Sequence, residues 1–540
     1  MVSLSKENSS LVSSYLPDEC WESIFRFIIN VDDDCNNNNY LNSLSLVSKQ
    51  FLSVTNRLRF SLTSYGKLVD SIFKRFPNFN SLNSLNLKTL CIDIDKLLIK
   101  ISCFPLKVTS LNLSNQPTIP ANGLRAFSKK ITTLTSLTCS YIGSINSSDL
   151  FLIADCFPLL EELDLSYPSY CKDYSNYVDG IESLSLALIK LRKVNLSEFP
   201  INNQSLFHFF NNCKHLEEVI MFGCNEITNA ALASALRERP TLISLSFSLS
   251  LFHPEYRQVF ATSHFIDSFV SMKGLTCLDL KYLNISDELL YSIAREGFPL
   301  TRLVLRFCTN FSYNGIFCLL SKCRHIQHLN LQYAEFLNDH HVVELSSFLG
   351  DLVSVNLSYC LKLTQSTLFT LSRNCPSLSE IKMERMGCMF VKNSDSLEEF
   401  GVYPQLKSLY LGHNSWLSDE SIIMFASIFP NLKLLDLNYC NDIFEGICQV
   451  LRKCCKIRHL NLAYCSRVNL LGMNFVVPNL EVLNLSNTNV NDETLYMISK
   501  NCSVHLRLIL DHCNGVTEKG LQNCRQLREH GHIISPSPVF

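Results

Sequence analysis

Apolar side chains recur along this chain as one spaced triplet. From Leu82 to His505 an L-x-x-L-x-L core, with Ile, Val, Met, Phe or Cys as substitutes, occurs seventeen times, mostly 25 to 26 residues apart. That period and pattern predict an α/β leucine-rich-repeat solenoid, with one short strand and one helical return segment per unit. The first, fourth and sixth core positions point inward, and a single unit cannot bury them, so stability comes from stacking neighbours. The expected architecture is a curved parallel sheet on the concave face with helices on the convex face.

The return segments carry helix starts. Ser286-Asp287-Glu288, Ser418-Asp419-Glu420 and Asn491-Asp492-Glu493 each place a capping side chain ahead of carboxylates that favour the positive end of a helix. Pro299, Pro376 and Pro430 close helices before the next strand.

Residues 15–62 lack the repeat and predict a small all-α unit. Trp21, Ile24, Phe25 and Ile28 lie at helical spacing behind Pro17 and the acidic Asp18, Glu19 and Glu22. A second stripe follows in Leu44, Val47, Phe51, Val54 and Leu58. The expected division is therefore a disordered N-terminus at 1–14, the helical unit at 15–62, a linker or cap at 63–81, about seventeen repeats at 82–530 and a tail at 531–540.

Composition agrees with a folded, elongated chain: 540 residues, 47% hydrophobic and 18% charged. The 24 cysteines change the picture only until they are placed on the repeat. Cys224, Cys308, Cys360, Cys440, Cys465 and Cys513 sit three residues after a core, while Cys213, Cys323, Cys375, Cys454 and Cys502 sit three before the next. Such positions suit a buried free thiol acting as a small hydrophobe, and a reducing, intracellular location in nucleus or cytoplasm follows. No stretch approaches the ~18 apolar residues of a membrane span, so no membrane association is expected. Asn112, Asn195, Asn356 and Asn484 stand in N-L-S sequons, but their shared place inside the core makes them strand residues first.

The residues at 15–62 resemble an F-box, whose usual pattern is L-P-x-E, an apolar helix, then V-C-K-x-W. The matching positions are Leu16, Pro17, Glu19, Ile24 and Phe25, followed by Val47, Ser48, Lys49 and Phe51. Ser48 and Phe51 depart from the frequent cysteine and tryptophan, and VDDDCNNNN lengthens the connection between helices. An F-box followed by cysteine-containing leucine-rich repeats is the architecture of the plant-type F-box and leucine-rich-repeat family. The resemblance implies a non-catalytic substrate receptor of an SCF ubiquitin ligase, acting in protein degradation. Leu16, Pro17, Glu19, Ile24, Phe25, Val47, Lys49 and Phe51 would dock a Skp adaptor, and through it cullin and RING subunits. The solenoid would hold an unidentified protein substrate. Some plant members hold a small hormone or an inositol phosphate, which the resemblance alone suggests; no cofactor is assigned. The alternative is a repeat scaffold or ligand-sensing module unconnected to ubiquitin, with the first helices as a cap.

No motif supplies an active site: P-loop, G-x-G-x-x-G after a strand, G-x-S-x-G and H-E-x-x-H are all missing. There is no C-x-x-C pair, and His340-His341 and His530-Gly531-His532, the local histidine groups, read as turns or tail rather than metal sites. A net charge of −2 provides no general field for nucleic acid. Substrate contacts are expected on the concave strand surface and on long ridge loops. Lys281, Arg302, Arg306, Lys382 and Arg385 fall near that face, with Tyr282, Phe307, Tyr333 and Tyr359 close by. They fit an acidic degron, a small anionic ligand or an ordinary solvated face, with the tyrosines as turn residues beside the cysteines. The two longest units carry PSYCKDYSNYVDG and LFHPEYRQVFATSHF, whose Tyr174, Tyr177, Phe252, Tyr256 and Phe260 suit either recognition or self-packing.

Overall fold

The computed structural model describes residues 18–30, 41, 43–58, 61–63, 82–88, 93–169, 177–249, 263–387, 401–503, 506–523 and 533–534. Leu16 and Pro17, His530 and His532, and the inserted aromatics Tyr174, Phe252, Tyr256 and Phe260 lie outside them. The chain forms two compact units, Met1–Leu216 and Glu217–Phe540.

The first unit begins with the helices Asp18–Asn30 and Lys49–Leu58. Phe25, Leu41, Val54 and Leu58 form their buried core, with Trp21, Leu44 and Phe51 packed around it. The rings of Trp21 and Phe51 lie 4.6 Å apart and those of Phe25 and Phe51 4.9 Å apart. Ser48, which stands where the F-box pattern usually has cysteine, caps the second helix: its Oγ accepts from the Phe51 N–H at 3.0 Å.

Within each unit the repeat cores then make short strands that pair in parallel with their neighbours in sequence. In the first unit Ser110, Leu111 and Asn112 face Ser136, Leu137 and Thr138, and the pattern continues to Lys193–Asn195. In the second it runs from Glu218–Met221, for example with Arg302–Val304 between Cys277–Lys281 and His328–Asn330. Among the described residues the core triplets are buried; Leu134, Leu137 and Cys139 are each 1% exposed or less.

Two strands lie outside the limits expected for the repeats. Ser61–Thr63 pairs with Ser84–Asn86, so the sheet starts within the stretch assigned to the helical unit. Ile533–Ile534 pairs with Leu508–Ile509, carrying it into the stretch read as tail. Both segments are too short to show a triplet of their own.

Counting the first core residue as position 1, three later positions turn strand into helix. An Asn or Asp at position 5 accepts from the backbone N–H two residues on, as Asn112 does from Ser114 and Asn356 from Ser358, both about 3 Å. The sequon asparagines therefore have structural work in the turn. Position 8 takes left-handed backbone: φ is 55° at Tyr141, 56° at Tyr282, 65° at Tyr359 and 57° at Tyr439, with Gly223 at 69°. Its N–H still donates to the next repeat, Tyr333 to the Ser358 carbonyl and Tyr359 to that of Glu384. Position 9 is the cysteine. The thiols of Cys308, Cys360, Cys440, Cys465 and Cys513 donate to carbonyls of Leu280, Leu331, Leu411, Leu437 and Leu485, one repeat back, at 3.0 to 3.4 Å.

The helices Asp287–Glu296, Asp419–Ile428 and Asp492–Asn501 begin where the sequence places them. Only Asn491 makes the expected side-chain cap; Ser286 and Ser418 do not. The first carboxylate reaches the following repeat instead. Asp287 accepts from the Ser312 N–H and hydroxyl at 2.8 and 2.6 Å, and Asp492 from those of Thr517 at the same distances. Among the described residues no helix is long and apolar enough to cross a membrane.

Candidate recognition surfaces

The N-terminal helices divide their apolar residues between two directions. Phe25 is 1% exposed and belongs to the helical core, whereas Ile24 is 41%, Val47 64% and Leu46 86% exposed. Val47 therefore leaves the stripe assigned to it, because residues 46–47 form a turn before the Lys49–Leu58 helix. Phe25 and half-buried Phe51 thus belong to the helical core, and Ile24, Leu46 and Val47 stand exposed outside it. Glu19 and Lys49 are exposed as well.

In the second unit, strand positions 3 and 5 face away from the buried core, since side chains alternate along a strand. Arg302, His328, Ser354 and Glu380 at position 3 lie on consecutive strands, with Asn330, Asn356 and Lys382 at position 5. Together they line a shallow cavity of about 140 Å³. The Ser354 hydroxyl donates to Glu380 at 2.8 Å, and Lys382 stands 3.4 Å from the same carboxylate. Burial and the Arg302 guanidinium hold the His328 imidazole below its usual range.

One strand back, Asp279 is 5% exposed and lies 3.7 Å from Lys281 and 3.8 Å from Arg302. Burial pushes its carboxyl up despite those cations. Burial likewise lowers the Lys281 ammonium, whose nitrogen sits 3.4 Å from the centroid of the Phe222 ring. Arg306 adds a third cation, and its Nε is buried with no acceptor. Asp279 is therefore one carboxylate among three cations.

The five cations expected on the strand surface are thus not equivalent. Arg302 and Lys382 are strand residues, Lys281 ends its strand, and Arg306 follows the end of Arg302–Val304. Arg385 belongs to the left-handed row, with its guanidinium 5.6 Å from the Tyr359 ring.

That row forms a ladder of rings. Tyr282 and Phe307 stack at 5.4 Å, Phe307 meets Tyr333 at 5.3 Å, and Tyr439 and Tyr464 stack at 4.0 Å. His413 continues it, 4.2 Å from Tyr439. The recurrence of Tyr just before Cys was the signal available in the sequence; left-handed backbone was not, because the favoured residue there is Gly or Asn. Beside the ladder, Cys308, Phe311, Tyr333, Ala334 and Phe336 help line a second cavity of about 270 Å³.

Within the described histidine group the two rings behave differently. His341 stacks on Tyr313 at 4.0 Å, and His340 lies 3.6 Å from Glu344. Among the described residues no group of three or more His, Cys, Asp or Glu is placed to hold a metal ion. Tyr177, from the first long unit, is buried, and its hydroxyl donates to the Ile145 carbonyl at 2.7 Å, which is the self-packing outcome for that ring.

Fold and surfaces define the class: a leucine-rich-repeat protein preceded by a small helical unit with exposed apolar residues. Its similarities to known proteins are distant. Coronatine-insensitive protein homolog 1a of Oryza sativa subsp. indica is 25% identical over 261 residues, covering 42% of this chain and 43% of its own length. GRR1-like protein 1 of Arabidopsis thaliana is 26% identical over 235 residues, with coverage of 42% and 39%. The F-box protein SKIP1 of Arabidopsis thaliana is 22% identical over 170 residues, with coverage of 32% and 52%. The matches thus span about half or less of these plant relatives. No family model matches the chain. Among solved structures, the Rad7 and Elc1 complex of yeast aligns with a TM-score of 0.45 at 17% identity over 98% of both chains. The TLR13–ssRNA13 complex aligns with 0.39 at 13% identity over 88% and 73%.

Proposed function

We propose that this chain is a non-catalytic substrate receptor of an SCF-type ubiquitin ligase. Its N-terminal helices dock a Skp adaptor, and its repeats hold a protein substrate for ubiquitination. The observation that carries the reading is the exposure of the apolar Ile24, Leu46 and Val47 on a helical unit whose own core is already filled by Phe25, Leu41, Val54 and Leu58. A unit that needed these residues only to cap the solenoid would bury them, whereas a docking helix presents such residues to a partner. The weak, partial likeness to a protein named as an F-box protein points the same way.

The floor cavity of about 140 Å³ is smaller than the roughly 300–1,000 Å³ that drug-sized ligands occupy, which favours a protein side chain over a small hormone as its occupant. The test is co-purification of the full chain with a plant Skp adaptor, beside an Ile24→Asp/Val47→Asp variant. Retention by the unaltered chain and loss in the variant, with the repeats still folded, is the expected result. A chain that binds no Skp adaptor returns the helices to a capping role.

A further inference from the structure

Two neighbouring repeats, those starting at Leu300 and Ile326, each contribute to both of the cavities described above. Their strands supply Arg302 and His328 to the polar floor, and their turns supply Phe311, Tyr333 and Phe336 to the aromatic cleft. We propose that these repeats form a bipartite site for an extended segment of a protein partner. An acidic side chain occupies the floor, and an aromatic or aliphatic side chain occupies the cleft. The inference rests on the receptor reading and names the chemistry of what the receptor takes.

The acid is argued from charge. Lys281, Arg302 and Arg306 surround the carboxylate of Asp279, the contacts to Lys281 and Arg302 being longer than hydrogen bonds at 3.7 and 3.8 Å, and Glu384 also faces Arg306. Arg306 keeps a buried N–H with no acceptor, the kind of group that a second anion satisfies. Of these cations only Arg302 lines the floor, together with Lys382, which is already 3.4 Å from Glu380; Lys281, Arg302, Arg306 and Lys382 thus face Asp279, Glu380 and Glu384, which leaves one positive charge unmatched.

The apolar half is argued from pre-organisation. Phe311 and Phe336 meet edge to face at 5.3 Å, and Tyr333 is held by contact with Phe307 while remaining 38% exposed. Rings fixed in this way lose little further freedom when a partner covers them. Arg302 and Cys308, one in each half, are six residues apart in sequence, a span of at most about 20 Å even when extended. The partner's acidic and apolar residues are therefore expected within about six positions of each other.

The probe is a random twelve-residue peptide display library selected on the full chain without adaptor, so that failure here is separable from failure of adaptor docking. Enriched peptides should pair Asp or Glu with Phe, Tyr or Leu within that spacing. They should bind an Arg302→Glu/Arg306→Glu variant at least tenfold more weakly. Tyr333→Asn, which keeps a residue tolerant of left-handed backbone, should weaken peptides that carry the apolar residue and leave alanine-substituted ones unchanged. Replacing the acid by phosphoserine separates the two sources of anion, tighter binding marking a phosphate site and weaker binding a carboxylate site. Enriched peptides without an acid, or equal binding by the charge-reversal variant when its thermal unfolding matches that of the unaltered chain, would overturn the proposal.

Discussion

A thiol at position 9 combines two properties that the turn needs: it packs as a small apolar group, and it donates to a carbonyl of the preceding repeat. Burial pushes the Cys308, Cys360 and Cys440 thiols up to about 12, so they stay protonated and poorly nucleophilic at neutral pH. Cys20, Cys103 and Cys455 are exposed. Iodoacetamide at pH 8 is expected to modify these three in the folded chain and to reach Cys308, Cys360 and Cys440 only in denaturant. Equal rates, followed by peptide mass spectrometry, would refute the packing role. The spacing of the cysteines was legible in the sequence because it is locked to the leucines. Their hydrogen bonds were not, since the acceptor lies 28 or 29 residues earlier.

Acid sensitivity also resides in single carboxylates. Thr517's hydroxyl and backbone N–H hold the Asp492 carboxyl below its ordinary range. Its stabilising contribution is therefore present at neutral pH and lost as pH falls through that lowered value, below about pH 4. Asp279 acts in the opposite sense: burial raises its pKa, so protonation on acidification relieves an unfavourable charge. In thermal melts between pH 7 and 3, Asp492→Ala should destabilise at neutral pH and flatten the acid slope. An unchanged slope would remove Asp492 from the account.

At the scale of elements, repeats are tied together by helix-start carboxylates as well as by the sheet. A Cβ on Gly315 would stand 2.2 Å from Asp287 Oδ1, so the glycine leaves room for that carboxylate to reach Ser312. Gly315→Ala is expected to destabilise the second unit by about 1–3 kcal/mol, as overpacking does. Relief of that loss in the Asp287→Ala/Gly315→Ala double variant is the check; simple additivity in denaturant melts would contradict the contact. The start of this helix was readable from Ser-Asp-Glu, but the destination of the aspartate was not, because it depends on which side chain the next repeat brings alongside.

The N-terminal helices show the same limit. Their stripes identified an amphipathic unit, yet Ile24 and Phe25 are adjacent in sequence and only packing tells that one faces out and the other in. Phe25→Ala should cost about 3–5 kcal/mol and unfold the helical pair, while Ile24→Asp should leave it folded. Proteolysis of residues 18–58 distinguishes the two, and equal protection in both variants would overturn the assignment.

At the scale of the whole molecule, the repeat register predicted the parallel sheet and its buried triplets, because a recurring L-x-x-L-x-L core sets nearly every strand. The recognition surface was only partly visible. Sequence reasoning collected Arg302, Arg306, Lys281, Lys382 and Arg385, but their separation into floor, strand end and ring ladder depends on the left-handed turn at position 8. The proposed function joins exposed apolar residues of the N-terminal helices to a long repeat scaffold. The most direct test of that claim is binding of the full chain to a purified plant Skp adaptor, measured by calorimetry beside Ile24→Asp/Val47→Asp. The account predicts a saturable complex for the unaltered chain and at least a hundredfold loss in the variant, with the melting of the repeats unchanged. No binding by the unaltered chain, or equal binding by both, would contradict it.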